Sequence, residues 1–184
     1  MGSTGDSSKV IQTKRIFADK FMELLEERPL KKISVNDICQ SALMSRSAFY
    51  LYFRDKYQLL KYCFENEVRS WQDAAKDKSG EDAILYILDA LLEKKRFFHH
   101  AFMDEPDREQ VEILQSVFVS IFTKQLEEKE RSGCNLPGPA SVLGAFYAGG
   151  IVSMNIQWIQ SDFDIPKEEI AECQRRLLES VFGP

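Results

Sequence analysis

Histidine is almost missing from this chain, with 2 in 184 residues, and the two are neighbours, His99 and His100. Successive helical residues diverge by about 100°, so the pair cannot close on one metal ion. No Cys-x-x-Cys pair is present; Cys39, Cys63, Cys134 and Cys173 are scattered. No nucleophile–base pairing, acidic cluster or phosphate-cradling glycine loop stands out, which argues against an enzyme and against any metal or cofactor. Period-2 alternation and internal repeats are absent, so no sheet is expected. With 6 Pro and 9 Gly and 44% hydrophobic residues, the chain is neither fibrous nor disordered. No apolar run reads as approaching the roughly 20 residues of a membrane span. The opening MGSTGDSSKV lacks the apolar stretch of a secretory signal. Residues 1–8 read as a disordered tail, and the reduced, partly buried thiols expected at Cys39 and Cys63 suit a cytoplasmic protein.

What is present is helical periodicity almost throughout. A first helix is expected over 10–28, with Ile16, Phe21, Leu24 and Leu25 on one face and Pro29 ending it. Ser34 and Asp37 have capping-box spacing ahead of a short helix. Leu43 and Met44 make a turn. Ser45 caps a further short helix, 46–53, in which Phe49 and Phe53 at i, i+4 face the core. Asp55 caps a long helix, 56–76. Five more helical patterns follow, at 81–92, 96–103, 108–131, 140–160 and 166–182. The helix over 140–160 is nearly apolar and rich in small residues, including Gly149 and Gly150. Each glycine costs about 1 kcal/mol against Ala, and close helix approach is the usual compensation.

Net charge is −5, but it is unevenly spread. Residues 9–57 hold 10 Lys+Arg against 6 Asp+Glu, and residues 58–184 hold 14 against 22. A mildly basic head on an acidic body suits a protein that meets an anionic polymer at one end. The two short helices joined by a tight turn in 34–56 outline a helix-turn-helix, whose second helix enters the DNA major groove.

The run ICQSALMSRSAFYLYFRDKYQLL, residues 38–60, resembles the N-terminal domain of the TetR family of bacterial transcriptional regulators. Its Ser-Arg-Ser-Ala-Phe-Tyr and Asp-Lys-Tyr-Gln-Leu-Leu wording is similar to the subgroup that includes dihydroxyacetone-kinase regulators. The resemblance implies an all-α fold of about nine helices. A helix-turn-helix domain, 9–56, would be joined by a long fourth helix to a C-terminal ligand and dimerisation domain, 57–184. It implies a sequence-specific regulator, a repressor by family default. Such a regulator would act as a homodimer on a palindromic double-stranded DNA operator and be released in many members by a small-molecule effector.

Arg46 and Ser47, at the start of the second helix, are placed to read base edges, and Leu51 to touch a thymine methyl. Ser45, Tyr50, Tyr52 and Lys56 are expected on the DNA backbone, and Thr13 and Lys14 match the family's other backbone contact. An effector pocket would draw on Trp71, Phe97, Phe98, Phe102, Phe118, Phe122 and Phe146. The last two helices would form the dimer interface through Gly144, Ala145, Ala148, Gly149, Ile156, Leu177, Leu178 and Val181. Two departures from the family pattern support a competing reading. Leu43 stands where Gly is usual, and Ala48 where a Thr hydroxyl commonly meets the DNA backbone. The competing protein is a helical, dimeric partner-binding module whose helix-turn-helix has lost specific DNA recognition.

Overall fold

The computed structural model describes the backbone of residues 3–78, 80–102 and 108–182, and the side chains of residues 8–78, 80–102 and 108–179. Among these residues there are nine α-helices and no strand. They are α1 (Ser3–Glu27), α2 (Val35–Ser41), α3 (Arg46–Tyr50), α4 (Lys56–Ala75), α5 (Gly80–Glu93), α6 (Lys95–Phe102), α7 (Arg108–Arg131), α8 (Ala140–Gln160) and α9 (Lys167–Phe182). A 3-10 turn, Leu30–Lys32, joins α1 to α2.

Most helix ends follow from local chemistry. The Ser34 side chain accepts from the Asp37 amide while Asp37 reaches back to the Ser34 amide, a complete capping box. Ser45 accepts from the Ala48 amide and Asp55 from the Gln58 amide. Two ends depart from expectation. The first helix runs from Ser3, so the residues read as a disordered tail continue it; once a helix is nucleated, each added residue gains a hydrogen bond. α3 stops at Tyr50 because the Tyr52 and Phe53 amides both turn to the Phe49 carbonyl. The turn expected over 104–107 and the end of α6 at Met103 lie outside the described residues.

One continuous apolar cluster runs from the head into the body. In the head, Phe17 stands edge-on to Phe49 at 5.4 Å and to Phe53 at 6.4 Å. In the body, Phe64 of α4 packs on Phe97, Phe98 and Phe102 of α6, with centroids 5.7–5.9 Å apart. Such aromatic pairs contribute about 0.5–1.5 kcal/mol each beyond their area. α4 therefore carries aromatic contacts to both parts, with Tyr62, two residues before Phe64, against Phe53 at 5.6 Å.

α8 corrects the reading that no run is suited to a membrane span. Its 21 residues, which include an 18-residue stretch with a mean hydropathy of 1.3, are long and apolar enough to cross one by length and composition. In the fold α8 lies along α7 and buries Ala148, Ile151, Val152, Ile156, Trp158 and Ile159. At Gly144 the two helices approach closely. A Cβ there would lie 2.9 Å from the Thr123 amide nitrogen and collide with the Thr123 hydroxyl.

Candidate nucleic-acid interface and body cavity

The step from α2 to α3 is a Schellman motif. The Met44 amide bonds the Cys39 carbonyl at 3.0 Å and the Leu43 amide bonds the Gln40 carbonyl at 3.1 Å. That geometry needs a left-handed residue between them, and Leu43 supplies it at φ 53°. The same motif ends α7, where Gly133 takes the left-handed place at φ 93°. A side chain there costs about 1–2 kcal/mol. Leu43 is also 94% exposed, so its side chain gains no burial in return.

α3 buries Phe49 and presents the opposite face to solvent. Ser45, Arg46, Ser47, Tyr50 and Leu51 are all exposed and lie within two turns of one another. Arg46 Nη2 donates to the Tyr50 hydroxyl at 3.3 Å, and its guanidinium carbon sits 5.8 Å from that ring's centroid. This contact raises the Arg46 pKa further, so the side chain stays cationic. Leu51 is 77% exposed. Ala48 is half-buried against the head's core.

The remaining expected backbone contacts are engaged inside the chain. Lys56 donates to the Leu30 carbonyl at 2.8 Å and the Ile33 carbonyl at 2.9 Å. Its ammonium is thus drawn to the 3-10 turn, where the Leu30 carbonyl, which also accepts from the Ile33 amide at 3.1 Å, offers a second lone pair. A phosphate contact through Lys56 would compete with these two carbonyls. Lys14 Nζ lies 5.9 Å from the Phe53 centroid and 5.8 Å from that of Tyr62. The Thr13 hydroxyl donates to the Lys9 carbonyl at 2.9 Å. Tyr52 is half-buried against the core.

In the body, a cavity of about 30 Å³ lies among α4, α5, α6, α7 and α8, room for about one water. Trp71, Phe98 and Phe118 line it, with Leu91, Val152 and Asn155 among the others. Asn155, whose side chain accepts from Gln174 at 2.8 Å, is the one amide side chain in that lining. Phe97 and Phe102 do not line the cavity; both are fully buried against Phe64. Phe122 is half-buried away from it. Phe146 is 73% exposed on the outer face of α8, so it is not a pocket residue.

The expected interface residues divide in the same way. Gly144, Ala148 and Ile156 face the chain's own α7 side and are buried there, which removes them from the outer surface. Ala145 is exposed beside Phe146, and Leu177 is 49% exposed. Gly149 and Leu178 are half-buried. The Val181 side chain lies outside the described residues. Cys173 of α9 is exposed. His100 makes a specific contact: its Nδ1 lies 2.7 Å from the Leu25 carbonyl of α1. Only Pro29, four residues beyond Leu25, hinted at it.

The model of bacterial regulatory proteins of the tetR family matches residues 19–63, and a transcriptional regulator C-terminal region matches 78–180. The HTH-type dhaKLM operon transcriptional activator DhaS of Lactococcus lactis subsp. lactis (strain IL1403) is 32% identical over 108 residues. That match covers 58% of this chain and 58% of the relative. Among solved structures, a dihydroxyacetone kinase operon activator DhaS superposes with a TM-score of 0.61 at 23% identity, covering 92% of this chain and 96% of that one. A TetR-family regulator from Syntrophomonas wolfei str. Goettingen superposes with a TM-score of 0.65 at 15% identity, covering 92% and 94%. RolR in complex with resorcinol gives 0.62 at 18%, covering 93% and 89%. At these identities the structures share the fold.

Proposed function

The chain belongs to the TetR family of bacterial transcriptional regulators, and on that premise we propose that it binds an operator of approximate two-fold symmetry as a homodimer in the cytoplasm. Residues 9–56 are the DNA-reading head and 57–184 the body. The observation that carries this reading is the exposed first turn of α3. Arg46 and Ser47 stand there with nothing of the body over them, on a helix whose other face is anchored by Phe49. Arg46 is suited to guanine O6 and N7, and Leu51 to a thymine methyl. Ser45, Tyr50 and Tyr52 flank them for phosphate contact. Thr13 and Lys14 join them only by releasing their internal partners.

The dimer forms through the outer faces of α8 and α9. Val142 is 62% exposed, Phe146 73% and Leu177 49%, with Ala145 beside them. A second copy covering these residues also accounts for the apolar character of α8 that its packing on α7 leaves unexplained. The Trp71–Phe98–Phe118 cavity is the place where an effector would enter, and at its present size it must widen to admit one. The family default is repression by blocking polymerase. The likeness to a dhaKLM operon transcriptional activator favours activation instead.

A gel shift against the DNA upstream of the chain's own gene tests the reading. Saturable, salt-sensitive binding to one sequence supports it. Uniformly weak binding to every duplex supports the competing module that has lost specific recognition. In vitro transcription from the bound promoter decides the sign of regulation.

A further inference from the structure

Leu25 lies in the last turn of α1, where its carbonyl would ordinarily accept from the amide four residues on. That residue is Pro29, which has no N–H. The ladder stops one step earlier, with the Arg28 amide on the Leu24 carbonyl at 3.0 Å. The missing donor comes from 75 residues away, on the body helix α6, where His100 Nδ1 lies 2.7 Å from the Leu25 oxygen. A carbonyl only accepts, so Nδ1 carries the proton in this contact.

α6 is placed to use that bond. It packs along α1 and meets the 3-10 turn. Two residues before His100, Phe98 lines the cavity and stacks on Phe64. Gln110 donates to the Ala101 carbonyl and Gln160 to that of Phe102 at 3.3 Å, so the C-terminal end of α6 is held by α7 and α8. The eight residues span only about 12 Å, and a shift at Phe98 moves His100 with it. The ion pair between head and body, Arg54 with Glu109 at 3.7 Å, joins two exposed side chains and holds little.

We propose that His100 is the positioning residue that locks the head to the body, passing any displacement of α6 at the cavity to α1 through its hydrogen bond to Leu25. The link to an effector rests on the reading of the cavity given above; the lock itself does not.

The test is a distance distribution by pulsed electron paramagnetic resonance on the full chain. Spin labels go at exposed Gln40 in the head and exposed Glu93 in α5, with exposed Cys134 and Cys173 changed to Ser. His100→Phe removes the donor, and His100→Ala removes it without bulk. His100→Asn keeps a donor in the place of Nδ1. The share of displaced heads should rise about fivefold in the Phe and Ala variants, as the loss of one such bond implies. The Asn variant should hold the parent distribution. An unchanged distribution in both Phe and Ala variants, or equal broadening in Asn, overturns the proposal. Operator binding by the unsubstituted protein is scored separately, so its absence counts against the DNA reading and leaves the distance result standing.

Discussion

Arg46 and Tyr50 brace each other one turn apart on α3, with Nη2 3.3 Å from the phenol oxygen and the guanidinium over the ring. The Tyr50 ring in turn stands edge-on to Phe49 at 5.5 Å, and Phe49 to Phe17 at 5.4 Å. A surface cation is thereby referred, ring by ring, to the buried centre of the head. Less side-chain freedom remains to be lost in the proposed contact of Arg46 with a base.

Replacing Arg46 with Ala should therefore weaken binding to the operator about 10-fold to 100-fold, the worth of a bidentate guanine contact. Binding to random duplex should fall much less. Competition titration of labelled operator with random DNA measures both. Retained sequence preference in the variant would show that Arg46 reads no base.

Leu43→Gly should raise stability by about 1 kcal/mol, because glycine takes the left-handed place in the Schellman motif without steric cost. Urea unfolding of both proteins measures it. A loss of stability would mean that the 94% exposed side chain is covered by something in solution.

The glycines of α8 should respond in opposite directions. Gly144→Ala drives a methyl into Thr123 and should cost about 1–3 kcal/mol. Gly150→Ala meets nothing within 4 Å in the chain and should gain about 1 kcal/mol. Thermal unfolding of the two variants side by side checks the sign of each.

Phe146→Glu should convert the dimer to a monomer, since it buries a charge in the proposed contact while leaving the chain's own core untouched. Sedimentation velocity reads the mass, and far-ultraviolet dichroism checks that helicity is kept. A variant that stays dimeric moves the interface elsewhere.

The α2 cap should be acid-sensitive. Hydrogen bonds from Ser34, and then the charge of Arg28, hold the Asp37 carboxyl below its ordinary pKa. Its folded value lies below its unfolded one, so the stability it adds is present above the ordinary value near ~3.9. That stability is lost as pH falls through the lowered value. Acid unfolding followed by dichroism should show a shallower pH slope for Asp37→Asn, with stability at neutral pH reduced by about 1 kcal/mol.

The helices were legible because their signals are local. Ser34, Ser45 and Asp55 name three caps, and the stripe in α4 from Leu59 to Trp71 points one way. The face of α3 was legible for the same reason, since Phe49 and Phe53 claim the inner side. Periodicity says that a residue is apolar-facing but not which neighbour it faces. Phe97, Phe102 and Phe146 look alike in sequence, yet two are buried on Phe64 and one is in solvent. Gly144 and Gly149 likewise belong to one small-residue run, and only the first touches α7. The partners of Lys56 and His100 were not legible because they are backbone carbonyls 23 to 75 residues distant. A carbonyl has no residue type by which a sequence could announce it.

The clamp of Lys56 on Leu30 and Ile33 has a mechanical meaning. It pins the first residue of α4 to the connector between α1 and α2, so α4 ends in a fixed joint at the head. The 20 residues of α4 make an arm of about 30 Å. Tilting that arm by about 6° carries the joint roughly 3 Å, close to the ~3.4 Å that separates successive bases along a strand. On the proposed operator, a lever of this length would turn a movement the size of one side chain into a change of register on the duplex.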